Sequence, residues 1–255
     1  MTFSQGLLLF AASLAAGIIN SVAGGGSFFT LPALIFVGIP SVAANATSTV
    51  AVWPGTMASV GAYRADIYRE RRRLPWLLGI SVVGGLIGAI ILLRTPQADF
   101  DRVLPWLLLA ATAIFAFGAP LTRWLRARDA AAEPAARIGF WSGLTQFVIA
   151  IYGGYFGGGA GMLMLAMLGL SGMTDIHAMN GLKTLLSATL NLVAIVAFIW
   201  AGLIAWPQAG VMVLGAVAGG YGGAYFARKM DPRLIRILVI VVGVGLTICF
   251  FLRRR

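Results

Sequence analysis

Polar residues fall along this chain in short clusters. Between the clusters lie apolar runs at approximately 6–22, 27–38, 43–63, 74–93, 103–122, 138–152, 155–170, 178–202, 207–227 and 234–252. Their length and near absence of charge predict helix throughout, because a backbone in hydrocarbon must satisfy its own hydrogen bonds. A full crossing takes about 20 residues. Runs 27–38 and 155–170 fall short of that, and each abuts a triple glycine: Gly24-Gly25-Gly26 before the first, Gly157-Gly158-Gly159 before the second. Glycine is a poor helix former, so both places predict a broken helix.

Composition fixes the class. Hydrophobic residues make up 60% of the 255 and charged ones 11%, with a mean hydropathy of +0.91. A soluble domain is about half apolar and about a quarter charged, so a water-facing globule is excluded. The prediction is an all-α, polytopic integral membrane protein with about 8–10 membrane segments. Ser21-Val22-Ala23 could pass for a signal-peptidase site, but no Lys or Arg precedes the first apolar run, so a retained helix is expected.

The glycine clusters belong to an internal repeat. Gly24 to Gly26 match Gly157 to Gly159 at an offset of 133, as Gly6 matches Gly139; Gly84, Gly85 and Gly88 match Gly219, Gly220 and Gly223 at 135, as Asn45 matches Asn180. Two membrane repeats are predicted, 1–125 and 135–255, joined by a polar cytoplasmic linker at 126–134. The connector 64–73 holds five arginines and its counterpart near 203–206 none, whereas 228–236 holds four basic residues and its counterpart 94–102 two arginines offset by two aspartates. The positive-inside rule turns this flip into opposite orientations for the two halves. Each half then crosses an odd number of times, by five short crossings or by three full helices plus a re-entrant hairpin at the glycines. Both arrangements put 64–73 and 123–137 inside and both termini outside, against which stand Arg253, Arg254 and Arg255. Inverted repeats with interrupted helices are a recurring transporter design.

The net charge of +11 sits almost wholly in connectors, where it sets topology and meets anionic lipid rather than nucleic acid. Cys249 is the single cysteine, so no intrachain disulfide or CxxC site exists. All eight acids lie in connectors and there is one histidine, His177. This argues against proton pumps, divalent-metal sites and membrane proteases, which need carboxylates or several ligands at depth; no enzyme activity and no metal are expected. Polar groups at membrane depth are neutral or basic. Expected at the ligand are Asn20, Gly24, Gly25, Gly26, Ser27, Asn45, Thr47, Ser48, Gly157, Gly158, Gly159, Asn180, Lys183 and Thr184. A half-helix starting after a glycine break offers free N–H groups and its positive dipole end, which suits an anion. Lys183 either adds a full charge there or snorkels to the inner face. Gly84, Gly85, Gly88 and their counterparts read as close helix contacts, and Trp76, Trp106, Trp141 and Trp206 as interfacial anchors.

The stretch Gly17 to Ser48, GIINSVAGGGSFFTLPALIFVGIPSVAANATS, resembles the N-terminal signature of the TauE/SafE family of sulfite exporter-like membrane proteins. Gly24 to Gly26, Pro32, Leu34, Gly38, Ala44, Thr47 and Ser48 fill that signature. The second half repeats it as YGGYFGGGAGMLML through MNGLKT, departing at Leu165 and at Leu182-Lys183. The resemblance implies a multi-pass transporter in a bacterial cytoplasmic membrane, exporting small sulfur-containing anions such as sulfite or organosulfonates, with no cofactor. Its partners would be a small anion and the lipid bilayer, with no nucleic acid. An anion channel, or a non-transporting factor in the assembly or maturation of a membrane partner, remain as alternatives.

Overall fold

The computed structural model describes residues 1–22, 25–72, 74–129, 139–226 and 232–252. Its described residues form eleven α-helices and no strand: α1 (Phe3–Val22), α2 (Ser27–Phe36), α3 (Ser41–Ala62), α4 (Arg64–Arg69), α5 (Leu74–Arg94), α6 (Gln97–Asp129), α7 (Phe140–Tyr155), α8 (Ala160–Leu170), α9 (Ile176–Trp200), α10 (Trp206–Phe226) and α11 (Pro232–Leu252). The chain is an all-α polytopic membrane protein. Among the described residues four stretches are long and apolar enough to cross a bilayer on length and composition alone: Phe3–Asn20, Leu74–Arg94, Gln97–Gly118 and Ile176–Trp200. Trp76, Trp106, Trp141 and Trp206 are all exposed, as residues anchored in the bilayer interface would be.

Each apolar run became a helix, with two corrections and one addition. The run expected from 103 starts at Gln97, because Gln97 and Asp101 are held by α3 through Ser41 and Val42. The connector expected at 126–134 is helical as far as Asp129; Ala, Arg and Leu are good helix formers and simply continue α6. The addition is α4, a six-residue helix inside the arginine connector. It is kept in place by Ile67, which is buried and packs on Gly181 of α9.

Both glycine triplets interrupt the helices. The α1 helix ends at Val22 and α2 starts at Ser27; α7 ends at Tyr155 and α8 starts at Ala160. Gly25, Gly157 and Gly159 have positive φ angles of 99°, 81° and 79°, a region that strains side-chain-bearing residues. At 10 and 11 residues, α2 and α8 are about 15–17 Å long, about half the hydrocarbon thickness. The chain doubles back at each break. Gly26 packs on Ala16 of the preceding helix. At the second break Ser142, near the start of α7, meets Ser171, just past α8, hydroxyl to hydroxyl at 2.8 Å.

Helix directions follow from named contacts. Where α3 meets α9, Thr47 faces Ala205, Trp53 donates to the Ala188 carbonyl at 3.0 Å, and Tyr63 lies against Gly181, so the two helices run antiparallel. The pair α6 and α11 is also antiparallel, with Trp106 on Phe251 and Thr112 on Gly243. By contrast α1 runs parallel to α10 (Leu14 on Gly215 and Gly219, Gly17 on Gly220), and α7 runs parallel to α5 (Gly143 on Trp76, Ile151 on Gly88). These directions give the bundle two ends. End I carries Ser41, Gln97, Asp101 and Phe250 around a surface cleft. End II carries α4, the Ser142–Ser171 pair and the start of α9.

Candidate functional site

A cavity of about 80 Å³ lies where the two breaks meet α3, α6 and α9. One water needs about 10–15 Å³ by this measure, so the space admits several waters or one small oxyanion. Asn20, Gly25 and Ser27 line it from the first break, and Gly157, Gly159, Ala160, Gly161 and Met162 from the second. The α3 helix supplies Thr49, Val52, Thr56 and Ser59; α9 supplies Lys183, Thr184, Ser187, Leu190 and Asn191; Phe115 of α6 closes one wall.

Local sequence explains why the backbone can come so near. A Cβ on Gly25 would sit 2.5 Å from Cζ of Phe115, and Phe115 is itself held edge-on by Phe28. Asn20 is held at the cavity wall: its Oδ1 accepts the Gly26 N–H at 2.9 Å and ties the end of α1 to the turn. Tyr152 does the same in the second break, its hydroxyl donating to the Gly158 carbonyl at 2.6 Å.

Two kinds of positive character meet in the cavity. Ser27 opens α2 and Gly161 is the second residue of α8, and among the described residues neither backbone N–H has an acceptor. Lys183 is 7% exposed, its stem rests against Gly161, and no hydrogen bond or ion pair engages it among the described residues. Among the described residues no carboxylate lines the cavity. Thr49 and Thr184 donate to the Asn45 and Asn180 carbonyls of their own helices at 2.9 and 2.7 Å, which commits their single hydroxyl protons and leaves oxygen lone pairs at the wall.

The sequence model described as sulfite exporter TauE/SafE matches residues 9–250. The chain belongs to the TauE/SafE family. It is 29% identical over 247 residues to a Haemophilus influenzae protein named "Probable membrane transporter protein", covering 94% of this chain and 92% of the relative. It is 33% identical over 246 residues to the Escherichia coli K12 protein named "Probable membrane transporter protein YfcA", covering 93% and 86%. A Sinorhizobium relative, "Probable membrane transporter protein ORF9", is 29% identical over 250 residues, covering 94% and 90%. No solved structure gives a significant match. This TauE/SafE protein is accordingly a membrane transporter, as its relatives are named.

Of the residues expected at the ligand, this member of the family brings Asn20, Gly25, Ser27, Gly157, Gly159, Lys183 and Thr184 to the cavity. Gly24 lies outside the described residues. The rest are engaged elsewhere. Gly26 is buried against Ala16, and Gly158 is covered by the Phe156 ring. Asn45 donates to the Tyr155 carbonyl at 2.9 Å, Thr47 accepts the Ala205 N–H at 3.1 Å, Ser48 shares a 2.6 Å bond with Thr30, and Asn180 donates to the Ile176 carbonyl at 3.0 Å. The lining residues that the sequence did not single out for the site are Thr49, Val52, Thr56, Ser59, Phe115, Ala160, Gly161, Met162, Ser187, Leu190 and Asn191. The signal was present: Thr49, Val52, Thr56 and Ser59 recur at helical spacing on one face, and 135 residues on from the first three stand Thr184, Ser187 and Asn191.

Proposed function

We propose that the protein exports small anions, with sulfite or short organosulfonates as the substrate class, by alternating access across the cavity between the two breaks. The observation that carries this is Lys183, a buried lysine at the cavity with no acid beside it. Such a charge is stabilised by an anionic guest. The free N–H groups of Ser27 and Gly161 supply directed donors for oxygen, and the hydroxyls of Thr49, Thr184 and Ser187 complete the wall.

Residues 1–125 and 135–255 form the two oppositely oriented repeats in this proposal, joined by 126–134. End II, with Arg64, Arg69, Arg71 and Arg72, faces the cytoplasm of a bacterial inner membrane, and end I faces outward. An inside-negative potential is worth about 2.3 kcal/mol per charge per 100 mV and drives a dianion outward with twice that. Export then needs no carboxylate relay, in keeping with a cavity that contains none.

Purified protein in liposomes tests this. Radiolabelled sulfite or a short alkyl sulfonate should move at a saturable rate, and Lys183→Gln should lower that rate at least tenfold. Flux no greater than in protein-free liposomes, for every anion of a small panel, would overturn the reading. Single-channel currents in place of saturable flux would overturn the carrier mechanism.

A further inference from the structure

The two repeats differ in how tightly they hold the cavity at its two ends. Toward end I, the first third of α3 is tied across helices three times. Asn45 reaches the Tyr155 carbonyl of α7, Thr47 takes the Ala205 N–H ahead of α10, and Ser48 bonds to Thr30 of α2. Thr30, Thr47, Ser48 and Asn45 are all buried. Their partners lie on three different elements, so these bonds fix α3 against most of what surrounds it at this level.

The positions 135 residues later are Asn180, Leu182 and Lys183, on α9 toward end II. None repeats the tie. Asn180 turns back to the Ile176 carbonyl of its own helix. Leu182 has no polar group, and Lys183 faces the cavity unpaired among the described residues. Among the described residues Ile67 and Tyr63 pack on Gly181 there, and the Ser142–Ser171 bond at the same end joins α7 to the segment after α8. The cavity is also displaced toward end II. On α3 its lining ends at Ser59, three residues before Ala62, but begins at Thr49, eight residues after Ser41.

We propose that Asn45, Thr47 and Ser48 form a latch that shuts the cavity toward end I, with no equivalent among the described residues at Asn180, Leu182 and Lys183, so that the empty protein rests open to end II. This rests on the alternating-access reading above and adds the direction in which the resting equilibrium leans. Buried hydrogen bonds present in one state and absent from the other shift a two-state equilibrium by about fivefold each. With the arginine-rich end II in the cytoplasm, the resting carrier is the one that collects its load inside the cell. The lean is a property of the side chains at these positions, since the backbone plan of the two halves is alike.

Thiol labelling tests the latch without any substrate, so its outcome is independent of whether a given anion is carried. The full chain carries Cys249→Ser to remove the native thiol and Thr49→Cys as reporter. It is placed in sealed membranes of both orientations and treated with a membrane-impermeant maleimide. The reporter should react from end II at least tenfold faster than from end I. Asn45→Ala, Thr47→Val and Ser48→Ala should each raise the end-I rate several-fold, and together more than tenfold. Ser48→Thr keeps the hydroxyl and should leave the rate as it was, and Asn180→Ala should not change end-I reactivity. Equal reactivity from both ends with the latch intact would overturn the proposal, as would end-I rates that none of the single latch substitutions raises. The single substitutions stand on their own should the triple variant fail to fold.

Discussion

Lys183 shows how much a single side chain decides in this protein. It is the only basic residue well inside an apolar run, and among the described residues its environment of glycines, hydroxyls and aliphatic groups offers it no counter-charge. Asp175 is the opposite kind of charged residue, solvated and set at a helix N-terminus. It caps α9, accepting the His177 and Ala178 N–H groups at 2.9 and 3.3 Å, and these bonds, Ala178's first, hold its carboxyl below the ordinary value of 3.8. A group whose pKa is depressed on folding stabilises the fold above its unfolded value and loses that contribution as pH falls through the folded one. Asp175→Ala should therefore lower the Tm of the purified protein at pH 7, and the gap to wild type should close as the pH is taken well below 3.8. Asp175→Asn, still an N-cap residue, should retain most of the wild-type Tm at pH 7; a gap that persists unchanged at low pH would rule out the carboxylate as its source.

Helices here are joined by backbone contact as much as by side chains. A Cβ at Gly219 of α10 would lie 2.0 Å from the Leu14 carbonyl oxygen, and one at Gly88 of α5 would lie 2.1 Å from that of Ile151. Backbone cannot yield as a side-chain tip does, so the pairs α1–α10 and α5–α7 must part to admit a methyl. Gly219→Ala and Gly88→Ala should each destabilise by about 1–3 kcal/mol, the usual cost of overpacking. Gly79→Ala, where a Cβ meets nothing within 4 Å, should be neutral or better; thermal melts in detergent separate the three. These glycine faces were legible in the sequence, because small residues three and four apart have few uses other than close approach. The helix breaks were legible for the same reason. The hydrogen-bonded positions were not: Asn45, Thr47 and Ser48 have the chemistry of a binding site, and only their tertiary partners reveal that they are already occupied. The α4 helix was also hidden, since its single apolar anchor, Ile67, leaves no periodic pattern to read in six residues.

The arrangement of the whole molecule rests on a few crossings. Trp53 and Ala188 are 135 residues apart, the offset of the repeat, and they touch each other where α3 passes α9. In the proposed two-repeat arrangement a residue that meets its own counterpart would mark the centre about which the halves are related, and the cavity lies around this level, with Val52 and Ser187 on its wall. Trp53→Phe keeps the ring and removes the N–H, leaving the Ala188 carbonyl without that donor. The expected cost is about 1 kcal/mol, read as a lower Tm, together with a changed transport rate if this crossing is the pivot. A lower Tm with an unaltered rate would place the pivot elsewhere. At this scale the sequence was informative through its apolar runs, which became the helices, and silent about which end is tied, because hydrogen bonding across helices depends on which partner each position meets.

Two positions equivalent by the repeat, Ser48 and Lys183, carry a hydroxyl and an ammonium. In the proposed carrier, a molecule that enters would find its electrostatic anchor at Lys183 and none at Ser48, and so would have a head and a tail in there even when it is itself a symmetric ion.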